Sequence, residues 1–185
     1  MFFHYAVSMD KDLILSDPDL KNIYDKMLDY LSKNDMAEAR LVDRVHRLQL
    51  RYPRSERYRN YSKENCRIVI PLLREEGYVD EERYARRVFD SLKDKKDGLR
   101  AIRQKMLRRQ ISAAVVDDLL RRFTEATRQD LTKITEAARK KLGQLCNRFA
   151  ADPVKKFQIR QKLYAWLAMK GYSSEEIASI SRKIF

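Results

Sequence analysis

Glycine, proline, cysteine and histidine are all scarce in this chain of 185 residues. There are four glycines, four prolines, two cysteines and two histidines. Few glycines and prolines, and almost no alternation of apolar and polar residues after residue 20, argue against β-sheets. Apolar residues instead recur three or four positions apart along the chain. The sequence therefore predicts an all-α fold.

The rarity of cysteine and histidine also excludes several kinds of site. Cys66 and Cys146 are far apart and no C-x-x-C pair occurs, so neither a disulfide framework nor a zinc ribbon is indicated. We expect both thiols to be reduced and buried. His4 and His46 lack partners at ligand spacing, and no glycine-rich phosphate loop or hydrolase motif is found. We expect no catalytic residue, no metal site, no cofactor and therefore no enzyme.

Long hydrophobic runs are missing as well. The apolar run at the N-terminus covers only Phe2 to Val7, is interrupted by His4, and follows no basic region, so it does not resemble a secretory signal. No other stretch approaches the length of a transmembrane helix. We expect a cytoplasmic protein with no membrane partner.

Basic residues are abundant and unevenly distributed. Lysine and arginine number 40 against 27 acidic residues, which gives a formal net charge of +13. Residues 126–185 carry 13 basic and 5 acidic side chains, whereas residues 1–60 carry 11 and 10. A polyanion or an acidic protein surface would therefore be attracted mainly to the last two thirds of the chain.

A short signature of helix starts recurs along the chain. It consists of an apolar residue, a Ser or Asp that can cap a helix, and a second apolar residue four positions after the cap. The signature occurs at Tyr61-Ser62-Cys66, Val79-Asp80-Tyr84, Ile111-Ser112-Val116 and Tyr172-Ser173-Ile177. The similar runs "YSKENC" and "YSSEEI" indicate an internal repeat. We predict an elongated tandem array of three three-helix units, with about nine helices.

The repeat sets the expected domain boundaries. Residues 1–17 form an N-terminal lead, as a short hairpin or a disordered segment. Residues 18–77, 78–124 and 125–185 form the three units. The expected helices cover residues 18–31, 36–50, 62–76, 80–93, 98–109, 112–123, 128–149, 153–170 and 173–184.

Two predicted helices carry clustered cations on amphipathic patterns. The run "GLRAIRQKMLRRQIS" (98–112) has no acidic residue, and its apolar Leu99, Ile102 and Met106 leave most cations on the opposite and flanking sides. The helix of residues 153–170 repeats this arrangement around Ile159 and Leu163. The predicted binding face consists of Arg100, Arg103, Lys105, Arg108 and Arg109, extended by Lys155, Lys156, Arg160 and Lys162.

Residues 51–61, "RYPRSERYRNY", form a basic segment rich in tyrosine within the first unit. The segment fits a surface loop, and it also fits a stacking segment for single-stranded nucleic acid. For the second interpretation the contact residues are Arg51, Arg54, Arg57, Tyr58 and Arg59.

Three runs resemble the RecX family, regulators of the bacterial recombinase RecA. They are "GYVDEERYARRVF" (77–89), "GLRAIRQKMLRRQIS" (98–112) and "RQKLYAWLAMKGYSSEEI" (160–177). The resemblance covers the second and third units. The first unit departs from the family pattern, because "KNDMAEARLVDRV" stands where the family has R-x-x-S-x-x-E-L.

The resemblance implies a modular helical protein that binds along the groove of the RecA filament on single-stranded DNA. Filament growth, ATP hydrolysis, strand exchange and co-protease activity would be inhibited, which would regulate recombination, DNA repair and the SOS response. We expect a monomer whose partners are the RecA filament and the single-stranded DNA within it, with weak direct DNA binding. The basic residues also allow a stand-alone nucleic-acid-binding protein that uses helices 98–109 and 153–170, or an adaptor for another acidic protein.

Overall fold

The chain folds into helices joined by short turns. The computed structural model describes residues 11–126, 131–149 and 153–185, which contain helices and no β-strand. The predicted all-α class is confirmed. The helices are α1 (Lys11–Ser16), α2 (Pro18–Leu31), α3 (Glu38–Arg51), α4 (Lys63–Glu75), α5 (Glu81–Asp94), α6 (Leu99–Arg108), α7 (Ala113–Ala126), α8 (Thr132–Phe149), α9 (Pro153–Met169) and α10 (Ser174–Arg182), with a 3₁₀ turn at Glu56–Tyr58.

Burial confirms the repeated helix-start signature at all four places, and capping hydrogen bonds confirm it at three of them. The side chains of Ser62, Asp80 and Ser173 accept backbone N–H groups three residues later, and Glu176 completes a capping box with Ser173. All eight apolar residues of the four signatures are buried. Each cap satisfies an N–H that the helix itself leaves unpaired, which contributes about 1 kcal/mol.

The chain divides into two compact units. The first extends to Ala85 and also includes residues 109–112, and the second comprises residues 86–108 and 113–185. The core of the first unit joins α1, α2, α3 and α4 through buried side chains such as Ile23, Met27, Leu41, Val45 and Leu73. The finer division into three three-helix units stays a prediction.

The second unit contains α6 to α10 and most of α5. The pairs α8–α9 and α8–α10 enclose a core that includes Ile134, Ala138, Leu163, Leu167 and Ile180. In the same unit, the rings of Phe89 on α5 and Phe123 on α7 meet edge to face at 5.0 Å between centroids.

Two local predictions were wrong. Residues 11–16 form the helix α1 rather than a hairpin or a disordered lead, because buried Ile14 packs on the core of the first unit; residues 1–10 lie outside the described part of the chain. Cys146 is exposed, because it lies on the solvent side of α8, whereas Cys66 is buried as expected. Burial raises the pKa of the Cys66 thiol to about 12.

Candidate functional site

Helix α6 is the most basic of the described helices for its length, and its cations have different surroundings. Ile102 and Met106 are buried beneath it, as the sequence predicts. Arg100 and Arg108 are exposed, and neither is within ion-pair distance of a carboxylate among the described residues. These two guanidinium groups are therefore available to a partner.

Arg103 is held by an acidic residue of α7. Its Nε and Nη2 donate to the two carboxylate oxygens of Asp117 at 2.7 and 3.0 Å. This bidentate hydrogen bonding raises the pKa of Arg103 and keeps the pKa of Asp117 below its ordinary value. The pair fixes the direction of Arg103 and leaves its Nη1 group free of this contact.

Lys105 forms an ion pair with a buried acid. Asp97, whose side chain is only 2% exposed, binds Lys105 Nζ at 2.5 Å and Lys170 Nζ at 3.3 Å. Lys170 also donates to the backbone oxygen of Lys95 at 3.3 Å. A carboxylate that is removed from water requires such partners, so both lysines serve the fold of the second unit.

The turn after α6 belongs to the first unit. Gln110 adopts a left-handed conformation with φ of 61° and donates to Asp43 at 2.6 Å. In Arg109, the Nη1 atom is buried and has no hydrogen-bond partner among the described residues. Arg109 therefore has a different environment from the exposed cations of α6.

The predicted cations of the second basic helix have different surroundings. Arg160 lies over the ring of Phe185, 4.5 Å from its centroid, and Lys162 is exposed. The side chains of Lys155 and Lys156 lie outside those that the structure describes. Where α9 meets α6, its surface residues are Ala168 and Met169. The surface at that place is mixed rather than a continuous row of cations.

The tyrosine-rich segment is folded onto the first unit. The ring of Tyr58 has Tyr52 at 5.6 Å and Tyr61 at 5.2 Å, and Arg57 lies 5.8 Å from its centroid. Because these neighbours occupy the surroundings of the Tyr58 ring, little of it remains for stacking on a base.

Backbone contacts hold the same segment in place, and its cations differ in orientation. Gln49 donates to the carbonyl oxygen of Arg59 at 2.5 Å. Arg51 lies over Tyr52 at 5.5 Å, whereas Arg54 and Arg59 are exposed. Tyr52, which is also exposed, was not among the predicted contacts. The single-strand contact of this segment stays a prediction.

A close backbone contact beside α6 was not predicted from the sequence. A Cβ atom on Gly98 would lie 2.5 Å from the carbonyl oxygen of Gly171, and one on Gly171 would lie 2.3 Å from the amide nitrogen of Ala101. Gly171 also has a φ of +86°. The glycines of "DGL" and "KGY" are visible in the sequence, but nothing in their spacing shows that they touch.

Other kinds of site receive no support from the side chains that are described. Within those ranges, no group of three or more His, Cys, Asp or Glu residues is arranged to hold a metal ion. None of the described helices has both the length and the apolar character needed to cross a membrane.

Comparison with known proteins identifies similar chains. No family model matches. The regulatory protein RecX of Clostridium acetobutylicum is 26% identical over 129 residues, which are 70% of this chain and 58% of that protein. The chain therefore matches somewhat more than half the length of this curated relative.

Two solved structures have the same fold. The crystal structure of RecX from Lactobacillus salivarius matches with a TM-score of 0.66 and 18% identity, covering 90% of this chain and 96% of that one. A second crystal structure, of regulatory protein RecX, matches with a TM-score of 0.64 and 24% identity, covering 89% and 72%. The resemblance to the RecX family is therefore confirmed in sequence and in fold.

Proposed function

We propose that this protein is a negative modulator of RecA recombinase, which binds the RecA–DNA filament and inhibits its growth, ATPase and strand exchange. It would act without chemistry of its own, in the cytoplasm, as a regulator of DNA repair. The observation that carries the proposal is the RecX fold with the exposed cations Arg100 and Arg108 on α6.

Binding alone is sufficient for this activity. A protein that binds an assembled filament, or its end, changes assembly and turnover by mass action. Exposed guanidinium groups favour acidic protein surfaces and the phosphates of enclosed DNA, and they increase the rate of encounter. Because Arg103 and Lys105 are engaged by Asp117 and Asp97, we assign the leading contacts to Arg100 and Arg108.

The other predicted residues support binding by positioning groups on α6 or by adding positive charge. Arg103 offers a fixed guanidinium beside Arg100, Lys105 helps to position α6 through Asp97, and Arg109 adds positive charge directly after the helix. Arg160 and Lys162, with Lys155 and Lys156, add positive charge along α9 that attracts the same partner over a longer range.

Charge reversal of the two exposed arginines tests the proposal. In a RecA ATPase assay on single-stranded DNA, wild-type protein added at sub-stoichiometric amounts should inhibit. The double variant Arg100→Glu/Arg108→Glu should require at least about tenfold more protein, because like charges across an interface are strongly unfavourable. The matched control is Arg40→Glu/Arg67→Glu, which reverses two exposed arginines of the first unit. Equal inhibition by the α6 variant and the control would contradict the assignment.

A stand-alone nucleic-acid-binding protein is the second candidate function. It is favoured by exposed Arg54 and Arg59 beside exposed Tyr52, in addition to the free cations of α6. Titration of single-stranded and duplex DNA at two salt concentrations separates the two functions. A DNA-binding protein would bind tightly without RecA and weaken steeply as salt rises; a RecA modulator would need RecA for tight binding.

A further inference from the structure

Helix α9 has two apolar faces, and the part of the chain that the structure describes covers only one of them. Ile159, Leu163 and Leu167 are buried in the second unit. On the opposite side, Phe157 is 66% exposed and Tyr164 is 42% exposed. Large apolar side chains that share an exposed helix face mark a surface available for contact with a partner. The uncovered face of α9 therefore indicates a surface that contacts a partner and does not pack in the core of this unit.

The uncovered face leads into two adjoining grooves. The first, of about 360 Å³, lies between α9 and α10. The second, of about 440 Å³, lies between the ends of these helices and α6. Both grooves are lined by Ala168, Ser174 and Ile177. The lining of the first groove also includes Tyr164, Ala165 and Ala178. The lining of the second groove also includes Met169, Leu107, Arg100, Arg103 and Gln104. We call the two together the α9–α6 groove.

The α9–α6 groove combines an apolar floor with one cationic wall. Met169 is 81% exposed, and Leu107 and Ala168 extend the apolar surface towards α6. Arg100 and Arg103 lie on the α6 side, and the residues that line the two grooves include no acid. Arg103 is already oriented by Asp117, so it presents its remaining N–H donors at a fixed place.

This pattern favours a protein segment over a nucleic acid. Nucleic-acid sites follow the phosphate backbone with several cations and supply aromatic faces for the bases. Most of the apolar side chains that line this groove are those of Ala, Met, Leu and Ile, which fit aliphatic anchors; of the two tyrosines in the lining, Tyr164 is partly exposed and Tyr172 is buried. Cations along one wall are complementary to carboxylates placed beside such anchors.

We infer that the α9–α6 groove binds an amphipathic, acidic segment of a protein partner. Its apolar side chains pack on Tyr164, Ala168 and Met169, and its carboxylates pair with Arg100 and Arg103. The inference deepens the proposed function, on which it rests, by giving the acidic partner an apolar contact as well. Apolar contact supplies most of the affinity, while the arginines select for acidic sequences.

The test uses labelled helical peptides and the full chain. The main probe carries Leu on one face and Glu on the other; the two comparison peptides replace Glu by Lys, or Leu by Ser. Fluorescence anisotropy should show the Leu/Glu peptide binding at least about tenfold more tightly than either comparison peptide. Comparable binding of the Leu/Lys or the Ser/Glu peptide would overturn the inference, because binding would then not require both the apolar face and the acidic face of the peptide.

Variants of the groove locate the binding. Tyr164→Ser/Met169→Ser should weaken Leu/Glu peptide binding about tenfold, and Arg100→Glu should weaken it similarly. Because the substituted side chains are partly or largely exposed, helicity by circular dichroism should be unchanged. The matched control is Leu13→Ser/Leu50→Ser, which removes two exposed leucines of the first unit. Unchanged peptide binding by the groove variants would overturn the inference.

Three further measurements separate the inference from its rivals. If wild type inhibits RecA and Tyr164→Ser/Met169→Ser inhibits equally, the proposed function stands and the inference falls. If wild type binds the Leu/Glu peptide as expected but has no effect on RecA, the proposed function falls and the groove assignment stands. Loss of single-stranded DNA binding by the same variant, or of self-association in sedimentation, would show that a nucleic acid or a second copy occupies the groove, and would overturn the inference.

Discussion

The backbone N–H of Gly98 donates to the carbonyl oxygen of Lys170 across 2.7 Å. This bond joins the start of α6 to the turn between α9 and α10, and it requires the two backbones to approach without side chains between them. The hydroxyl of Tyr172 adds a second bond, to the carbonyl oxygen of Lys96 at 3.2 Å. The residues directly before the basic helix are thereby fixed in place.

We expect substitutions of the glycines to have graded effects on stability. Gly98→Ala should lower the free energy of unfolding by about 3 kcal/mol, because its Cβ would overlap backbone atoms that cannot move aside. Gly171→Ala should cost at least as much, since its φ is also unfavourable for alanine. Gly143→Ala is the matched control: nothing lies within 4 Å of the added atom, and alanine should stabilise α8 by about 0.5 to 1 kcal/mol. Urea denaturation measures all three, and a neutral Gly98→Ala would contradict the close contact.

Asp97 should be among the most sensitive acidic residues of the second unit. Asp97→Asn removes the charge that the two lysines share and should lower the free energy of unfolding by roughly 2 kcal/mol. Asp90→Asn, on the exposed side of α5, should change it by less than about 0.5 kcal/mol. Thermal unfolding of the two variants checks the difference. Equal unfolding temperatures of the two variants would show that the charge of the buried Asp97 adds no more to stability than that of an exposed acid.

The pair Arg103 and Asp117 allows a charge-swap experiment. Arg103→Glu places two carboxylates together and should lower the unfolding temperature, whereas Arg103→Glu/Asp117→Arg should restore it. Inhibition of RecA by the swapped variant should remain weaker than by wild type, because the guanidinium has moved from α6 to α7. Full recovery of both stability and inhibition would mean that only the local net charge matters.

Glu76 should make the stability of the first unit depend on acid pH. It accepts hydrogen bonds from Lys11 and from the hydroxyl of Tyr24, and the bond from Lys11 is the main reason that its pKa is lowered below the ordinary value of 4.5. A carboxyl whose pKa is lower in the folded state contributes stability above pH 4.5, and this stability is lost as pH falls through the folded pKa. The free energy of unfolding should therefore fall more steeply below pH 4.5 for wild type than for Glu76→Gln. Parallel pH profiles would contradict this contribution.

Local features of the fold were predictable because local physics determines them. Caps such as Ser62 and Ser173 act within one helical turn, and their apolar neighbours share the same short spacing. The helix α1 was missed because six residues are too few to show a helical period. Helices α6 and α9 were found within one or two residues at each end, since their buried residues repeat three and four apart.

The functional surface was less predictable, because it depends on contacts between distant residues. A sequence shows that Lys105 is basic. Only the fold shows that Lys105 binds Asp97, eight positions earlier in the chain, and that Lys170 binds the same carboxylate. The uncovered face of α9 was hidden for a similar reason. Phe157 and Tyr164 look like core residues in a pattern, and only their exposure distinguishes them from Leu163.

The engagement of Lys105 and Arg103 within the chain also changes how the basic helix responds to ionic strength. Each lysine or arginine that neutralises a DNA phosphate releases condensed counterions, and the dependence of binding on salt counts those releases. With two of its four cations already matched by carboxylates, α6 should release about two counterions rather than about four on contact with DNA. Its association with a polyanion should therefore persist into moderate salt better than the run of arginines in its sequence suggests.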